Sequence, residues 1–396
     1  MDDQLPAKPA SGPAIADAIR ELQPFRRDPV IGWFLRRDAW VTPVFFLGFY
    51  GLLALATLAD GTFWSIPAPP GRYPPDAQLV PFVREYFGPV FLLLWFPAIV
   101  LYARLLNARI RHTVQSLYER GILTAEVEAP QAYVAAWQKR FDSRWAWLAS
   151  ALFMAWFLAF WVAARLGALD GSLGIVVHAS SRDAVFAFAW ILALSVLGSH
   201  LFMSVLWRGA VSASRIHHTF RKERDPPIRL KPLHPDNCCG LRFVGDFTLL
   251  NSGYIAFFPL FLSLLVWFYP RFLDNAVTGW LLVYAGAAFY LVVATFAFVG
   301  PTYSAHRRMH EEREDMLNVL NEHFFQRYDE VFEKLHEIKT DPAKVEEKIR
   351  LLNNIREYYR EVGRRAVWPF NLRVVSEFAG VVGAPLLLLF LERLRG

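Results

Sequence analysis

Residues 231–247 read KPLHPDNCCGLRFVGDF and are the densest run of chemistry-bearing side chains in the chain. Three chemistries fit these residue types. His234, Asp236, Cys238 and Cys239, with His217 or His218 not far upstream, are side chains that ligate zinc. Cysteine-based zinc sites space their thiolates two to four residues apart, however, and neither CxxC nor HExxH occurs here. A second chemistry is anion or nucleotide binding by backbone amides around Gly240, helped by His234, Asp236, Asn237 and Arg242. The phosphate-cradling patterns GxxxxGK[ST] and GxGxxG are absent. In the third, His234-Pro235-Asp236-Asn237 is a turn whose side-chain oxygens cap backbone amides, and Gly240 and Gly245 let backbones approach closely. The residue types alone leave the cofactor unknown.

A second constellation follows helical rather than loop spacing. In LGSHLFMSVLWRG, steps of four from His200 reach Ser204, Arg208 and Ser212, with Ser195 and Ser199 adjoining. Asn251, Ser252 and Gly253 lie near the start of the next apolar run. His200 is the one ionisable group well inside an apolar run, where such residues line ion paths, relay protons or bond a neighbouring helix. Carboxylates of the kind that coupled transporters bury are not evident in those runs, and no inverted repeat is visible. A pore needs less, since hydroxyls, small residues and carbonyls can line it. The stripe His200, Ser204, Arg208 and Asn251 is therefore the candidate pore lining, and no catalytic set is assigned.

These groups must be positioned by helices in an apolar solvent. The 396 residues are 55% hydrophobic, 16% aromatic and only 20% charged, against about 25% charged in soluble domains. Apolar runs at 41–59, 88–106, 146–169, 184–207, 248–269 and 278–300 are each long enough to cross a hydrocarbon core. Lys and Arg alternate across the connections: six in 1–40, two in 60–87, six in 107–145, one in 170–183, eight in 208–247 and one in 270–277. The positive-inside rule then puts the N-terminus, the 107–145 and 208–247 loops and everything after 300 in the cytoplasm. The polar start lacks the pattern of a cleavable signal, and two adjacent cysteines imply no disulfide framework. Basic residues are spread over several loops rather than gathered in a stripe, so the net charge of +6 points to anionic lipid headgroups, and no nucleic-acid partner is expected.

Beyond Gly300-Pro301 the pattern changes. Leu317, Leu320, Phe324, Tyr328, Val331, Leu335 and Ile338 form one helical stripe, and Val345, Ile349, Leu352, Ile355, Tyr359 and Val362 form a second. Asp341 and Pro342 supply a cap and a first helical position between them. The spacing predicts a cytoplasmic helical hairpin over 301–365 whose first arm outruns the second and needs another surface. Residues 366–396 form a membrane-associated end in which 374–391 reads as a re-entrant, interfacial or seventh membrane segment, broken by Gly380, Gly383 and Pro385. Prolines at 43, 97 and 259 inside the apolar runs set local packing or hinge geometry.

LHPDNCCGL and the later WPFNLR resemble the His-Pro-Asp…Gly-Leu loop and the Trp-Pro-Phe element of a group of uncharacterised bacterial multi-pass inner-membrane proteins. That pattern has two glycines before its leucine, and Cys239 stands at the first of them. The resemblance implies an inner-membrane location and carries no activity. The sequence thus predicts an all-α polytopic membrane protein with domains at 1–40, 41–300, 301–365 and 366–396. Its expected function is an oligomeric ion channel or pore-forming effector, gated or assembled through the hairpin. The alternative is a metal- or nucleotide-responsive sensor or enzyme centred on 231–247. Expected partners are the bilayer, further copies of the chain and a small ligand or ion.

Overall fold

The structure, a computed structural model, describes residues 12–59, 61, 63–64, 90–145, 147–152, 154–155, 185–221, 228, 230–231, 234–257, 260, 278–335, 342–364, 368–369, 374–380, 383–384, 387 and 391. Every regular element among them is helical.

The chain begins with a hook of two short helices, α1 (Gly12–Glu21) and α2 (Pro29–Leu35). Ile15, Ala18 and Leu22 recur at helical spacing and are buried. Asp28 stops the turn between the helices by accepting from the backbone N–H of Val30 and Ile31, while Pro29 occupies the first helical position. Next comes α3 (Val41–Ala59), which buries only Thr42, Phe46, Leu53 and Thr57 along one narrow face. The helix α4 (Phe96–Glu119) is opened by a π-helical stretch, Phe91–Trp95, immediately before Pro97. A proline has no N–H for the regular ladder, and the widened turn sits where that bond is lost.

Pro130 opens α5 (Pro130–Phe141), whose Tyr133, Val134, Trp137 and Phe141 are buried. Helical residues at 147–152 follow. Then come α6 (Val185–Arg221), α7 (Arg242–Ile255), α8 (Thr278–Leu335) and α9 (Pro342–Arg364). The hub is α4, which packs against α1, α2, α3, α6 and α7. Its buried stripe of Ile99, Val100, Ala103, Leu106, Ile110, Val114 and Leu117 has the 3.6-residue period of a core-facing helix. The other axis is α6, in contact with α3, α4, α5, α7 and α8.

Among the described residues two helices are long and apolar enough to cross a membrane, Val41–Ala59 and Leu92–Glu119. Parts of the runs at 146–169, 184–207 and 248–269, and most of the proline-rich connection at 60–87, fall outside the described residues.

Helix α8 differs from the sequence pattern in one respect. The texture changes at Gly300-Pro301, yet the helix runs straight through Pro301. At 1.5 Å per residue its 58 residues extend about 87 Å. Side-chain donors gather where the proline has removed a backbone N–H. Thr302 Oγ1 donates to the Phe298 carbonyl at 2.6 Å, Ser304 Oγ to Pro301 at 2.9 Å, and His217 Nδ1 from α6 to Gly300 at 3.1 Å. Local hydroxyls and a neighbouring helix thus hold the backbone through the proline. The hairpin partner α9 packs on α8, beginning at Pro342 as its cap pattern predicts, whereas Asp341 lies outside the described residues. Trp368 stacks on His306 at 3.9 Å and Phe378 on Phe298 at 4.1 Å, so the C-terminal segment lies along α8 on both sides of Pro301.

Candidate functional site

The helical stripe and the 231–247 loop form two separate polar centres. On α6 the step of four brings His200, Ser204, Arg208 and Ser212 to one face, and all four are buried. Long polar side chains are buried only when their hydrogen bonds are met, and the partner comes from an unexpected place. Asp28, at 1% exposure, reaches into the stripe from the hook. Its Oδ1 accepts from His200 Nε2 at 3.3 Å as well as from Val30 and Ile31 N–H at 3.1 and 2.9 Å. Its Oδ2 accepts a short hydrogen bond from Ser204 Oγ and faces Arg208 NH2 at 3.5 Å.

Arg208 is held on every side. Its Nε donates to the Pro24 carbonyl at 3.0 Å, NH1 donates to Ser204 Oγ at 2.6 Å and to the Ser204 carbonyl at 3.0 Å, and the guanidinium lies 4.9 Å from the centre of the Phe25 ring. The other imidazole nitrogen of His200, Nδ1, meets Ser150 Oγ at 2.9 Å. Trp147 stacks on the same ring at 5.6 Å. Burial pushes the Asp28 carboxyl up, but the His200 hydrogen bond and the Arg208 charge outweigh it and hold Asp28 below its ordinary value. An ionised carboxylate only accepts, so Nε2 donates to Asp28, while Nδ1 accepts from Ser150 Oγ in a neutral ring and donates to it in a charged one.

Asn251, the fourth member of the stripe, joins it through packing. A Cβ at Gly209 would lie 2.1 Å from Asn251 Oδ1, so the absence of a side chain at 209 lets the α7 amide sit directly on the α6 backbone. Asn251 is itself buried.

The spacing argument found the four stripe residues and missed Asp28, Ser150 and Trp147. The runs themselves hold no carboxylate, and the one that reaches the stripe, Asp28, enters from the N-terminal segment. A signal was present: Asp-Pro ahead of an apolar stretch, in RRDPVIGWFL, is a cap-and-first-position pattern that fixes the Asp at a helix start.

In the 231–247 loop Asp236 is the organiser. Its Oδ1 accepts from Cys238 N–H at 2.9 Å and Gly240 N–H at 3.0 Å, its Oδ2 from Arg242 N–H at 3.4 Å and Arg120 NH1 at 2.8 Å. Arg120 also donates to the Gly240 carbonyl at 2.7 Å and lies over the Phe243 ring. His234 Nδ1 stands 2.9 Å from Asp236 Oδ1 and 3.2 Å from the Asp236 amide, so the neutral ring accepts from that amide and a charged ring would pair with the carboxylate. Burial raises the Asp236 carboxyl, and the Cys238 and Gly240 amides more than reverse it, leaving it below its ordinary value. Asn237, Cys239 and Gly240 all take left-handed backbone at φ of 56, 53 and 86.

Both thiols are buried free cysteines. Burial first, and then the Asp236 charge, push each of them up to about 11. A thiol so raised is neither a ready nucleophile nor an open ligand. Among the described residues no three His, Cys, Asp or Glu side chains come together to hold a metal ion. His217 is engaged at the Gly300 carbonyl, away from His234. The side chains of Asn237 and Arg242 are exposed. Here the Asx-capped corner is realised bond by bond.

No family model, curated protein or solved structure matches this chain.

Proposed function

We propose that this is a six-span membrane protein of the bacterial inner-membrane type, with a cytoplasmic N-terminus, that acts as an oligomeric ion channel or pore-forming effector gated or assembled through its cytoplasmic hairpin. The observation that carries the reading is the buried Asp28–His200–Ser204–Arg208 network inside a helical body whose outer faces are apolar. On α3, Val44, Phe45, Leu47, Leu52, Leu55 and Leu58 are exposed, and on α8 Phe296 is 73% exposed beside Leu291, Val292 and Val299. Soluble monomers rarely leave contiguous apolar surface on this scale uncovered, and hydrocarbon is the solvent that suits it. Ionisable groups turned inward from such a surface mark ion or proton paths.

Among the described residues the stripe is closed: His200, Ser204 and Arg208 are buried and hydrogen-bonded, and Asn251 is buried against Gly209. The reading therefore assigns the described conformation to a closed state. The hairpin supplies the assembly element: Val319, Phe325, Ile349, Leu351 and Tyr358 are exposed on it, a second copy of this chain being the proposed cover. The test is ion flux from vesicles carrying the purified chain, beside a variant with Val319, Phe325, Ile349 and Leu351 changed to Ser. Flux from the native chain that falls at least about tenfold with loss of oligomers supports the reading. A monomeric native chain that passes no ions contradicts it. The sensor or enzyme reading centred on 231–247 has less support, since Asp236 is already saturated by amides and Arg120.

A further inference from the structure

The polar cluster is built to accept one more proton without losing a hydrogen bond. Neutral His200 donates from Nε2 to Asp28 and accepts at Nδ1 from Ser150. A proton arriving at Nδ1 needs only a rotation of the Ser150 hydroxyl, which then accepts where it had donated. Trp147, 42% exposed, stacks on the imidazole, so the ring against His200 is itself at the surface.

The groups facing His200 define what the proton would meet. Asp28 comes from the hook, Ser204 and Arg208 from α6, and Ser150 and Trp147 from 147–152. On the α4 side Phe96 closes on Gly198, where an added Cβ would be 2.6 Å from the ring. Behind Arg208 lies Asp142, bound by Arg27 at 3.6 Å. Among the described residues the inner pair is balanced: one carboxylate, Asp28, against one guanidinium, Arg208. A proton on His200 sets two cations, His200 and Arg208, against the single Asp28 carboxylate, and an unbalanced buried charge favours a wetter arrangement.

We propose that the His200–Asp28 pair is a proton-binding switch: uptake of one proton at His200 Nδ1 loosens the seat of the 12–35 hook on α6 and opens the path that the channel reading places there. The proposal rests on that reading for its conduction consequence only. Linkage sets the sign. The switch requires that the loosened form take the proton in preference to the seated one, and acid then shifts the population toward it.

The test is made on the full-length chain in vesicles, with two readouts. Amide hydrogen exchange in 12–35, corrected for intrinsic rates, is compared at about pH 8 and about pH 5. Ion flux is recorded over the same range. The expected result is exchange about fivefold or more faster at the acid end in the native chain, the change absent in His200→Gln, and flux rising in parallel. His200→Arg, permanently charged, should be loose at both pH values. Ser150→Ala, which removes the hydroxyl facing Nδ1 and leaves Asp28 untouched, should alter the pH response even if His200 variants fold poorly. Exchange that is pH-independent in the native chain, or pH-dependent to the same degree in His200→Gln, overturns the switch. A chain silent at every pH sinks the channel reading alone, and the exchange readout still decides the switch.

Discussion

Asp28 and Asp236 show how one residue type does two jobs. Each caps backbone N–H groups and each is tied to an arginine, but Asp28 links the hook to α6 whereas Asp236 closes a loop on α4. Removing Asp28 strands Arg208 in a buried site. Asp28→Ala should lower stability by about 3 to 5 kcal/mol in denaturation of the detergent-solubilised protein. A second change, Arg208→Met, should recover part of that loss, because no unpaired charge then remains. Asp236 predicts a pH dependence. Its folded value is depressed, so its stabilisation is present above the unfolded value of about 3.9 and is lost as pH falls through the lower folded value. Thermal unfolding followed from pH 6 downward should fall steeply below about pH 4 and more shallowly in Asp236→Asn. A parallel acid limb in the two proteins would contradict the assignment. The corner itself was readable from HPDN, where a turn with Asx capping is what those residues favour. Its anchor was not, because Arg120 lies 116 residues away and no local pattern pairs it with Asp236.

Helix faces were legible wherever period decides them. The polar stripe on α6 follows from spacing; of the predicted α9 stripe Val362 is buried and Leu352 and Ile355 are half-buried, whereas Ile349 and Tyr359 are exposed, and Pro342 sits where its N–H would be unsatisfied anyway. Continuity through Pro301 was not legible, because it depends on His217 arriving from another helix. The close crossing of α6 and α7 tests the packing. Gly209→Ala drives a methyl into Asn251 Oδ1 and should cost about 1 to 3 kcal/mol, read as a lowered Tm. At Pro301, Thr302→Val keeps the shape and deletes the donor to the Phe298 carbonyl. It should cost about 1 kcal/mol and raise exchange in 297–304. Unchanged exchange there would mean that the hydroxyl contributes nothing to holding the helix through the proline.

For the whole molecule, composition announced an all-α chain rich in apolar surface, and the helices bear this out. What composition could not announce is that 12–40 is not a tail. Ile15, Ala18, Leu22, Phe25, Ile31 and Phe34 are part of the main core, and the hook brings the one carboxylate that completes the polar stripe. A moderately amphipathic ten-residue helix before the first apolar run gives no hint of where it docks. Ion conduction across a bilayer by this body, with its inward polar cluster and outward apolar faces, is the proposal on which the rest depends. Planar-bilayer recording of the purified full-length chain tests it most directly. Conduction of this kind gives discrete steps that increase in frequency as the bath is acidified and that lose this response in His200→Gln. A folded, bilayer-inserted chain with no conductance at any voltage or pH would contradict it.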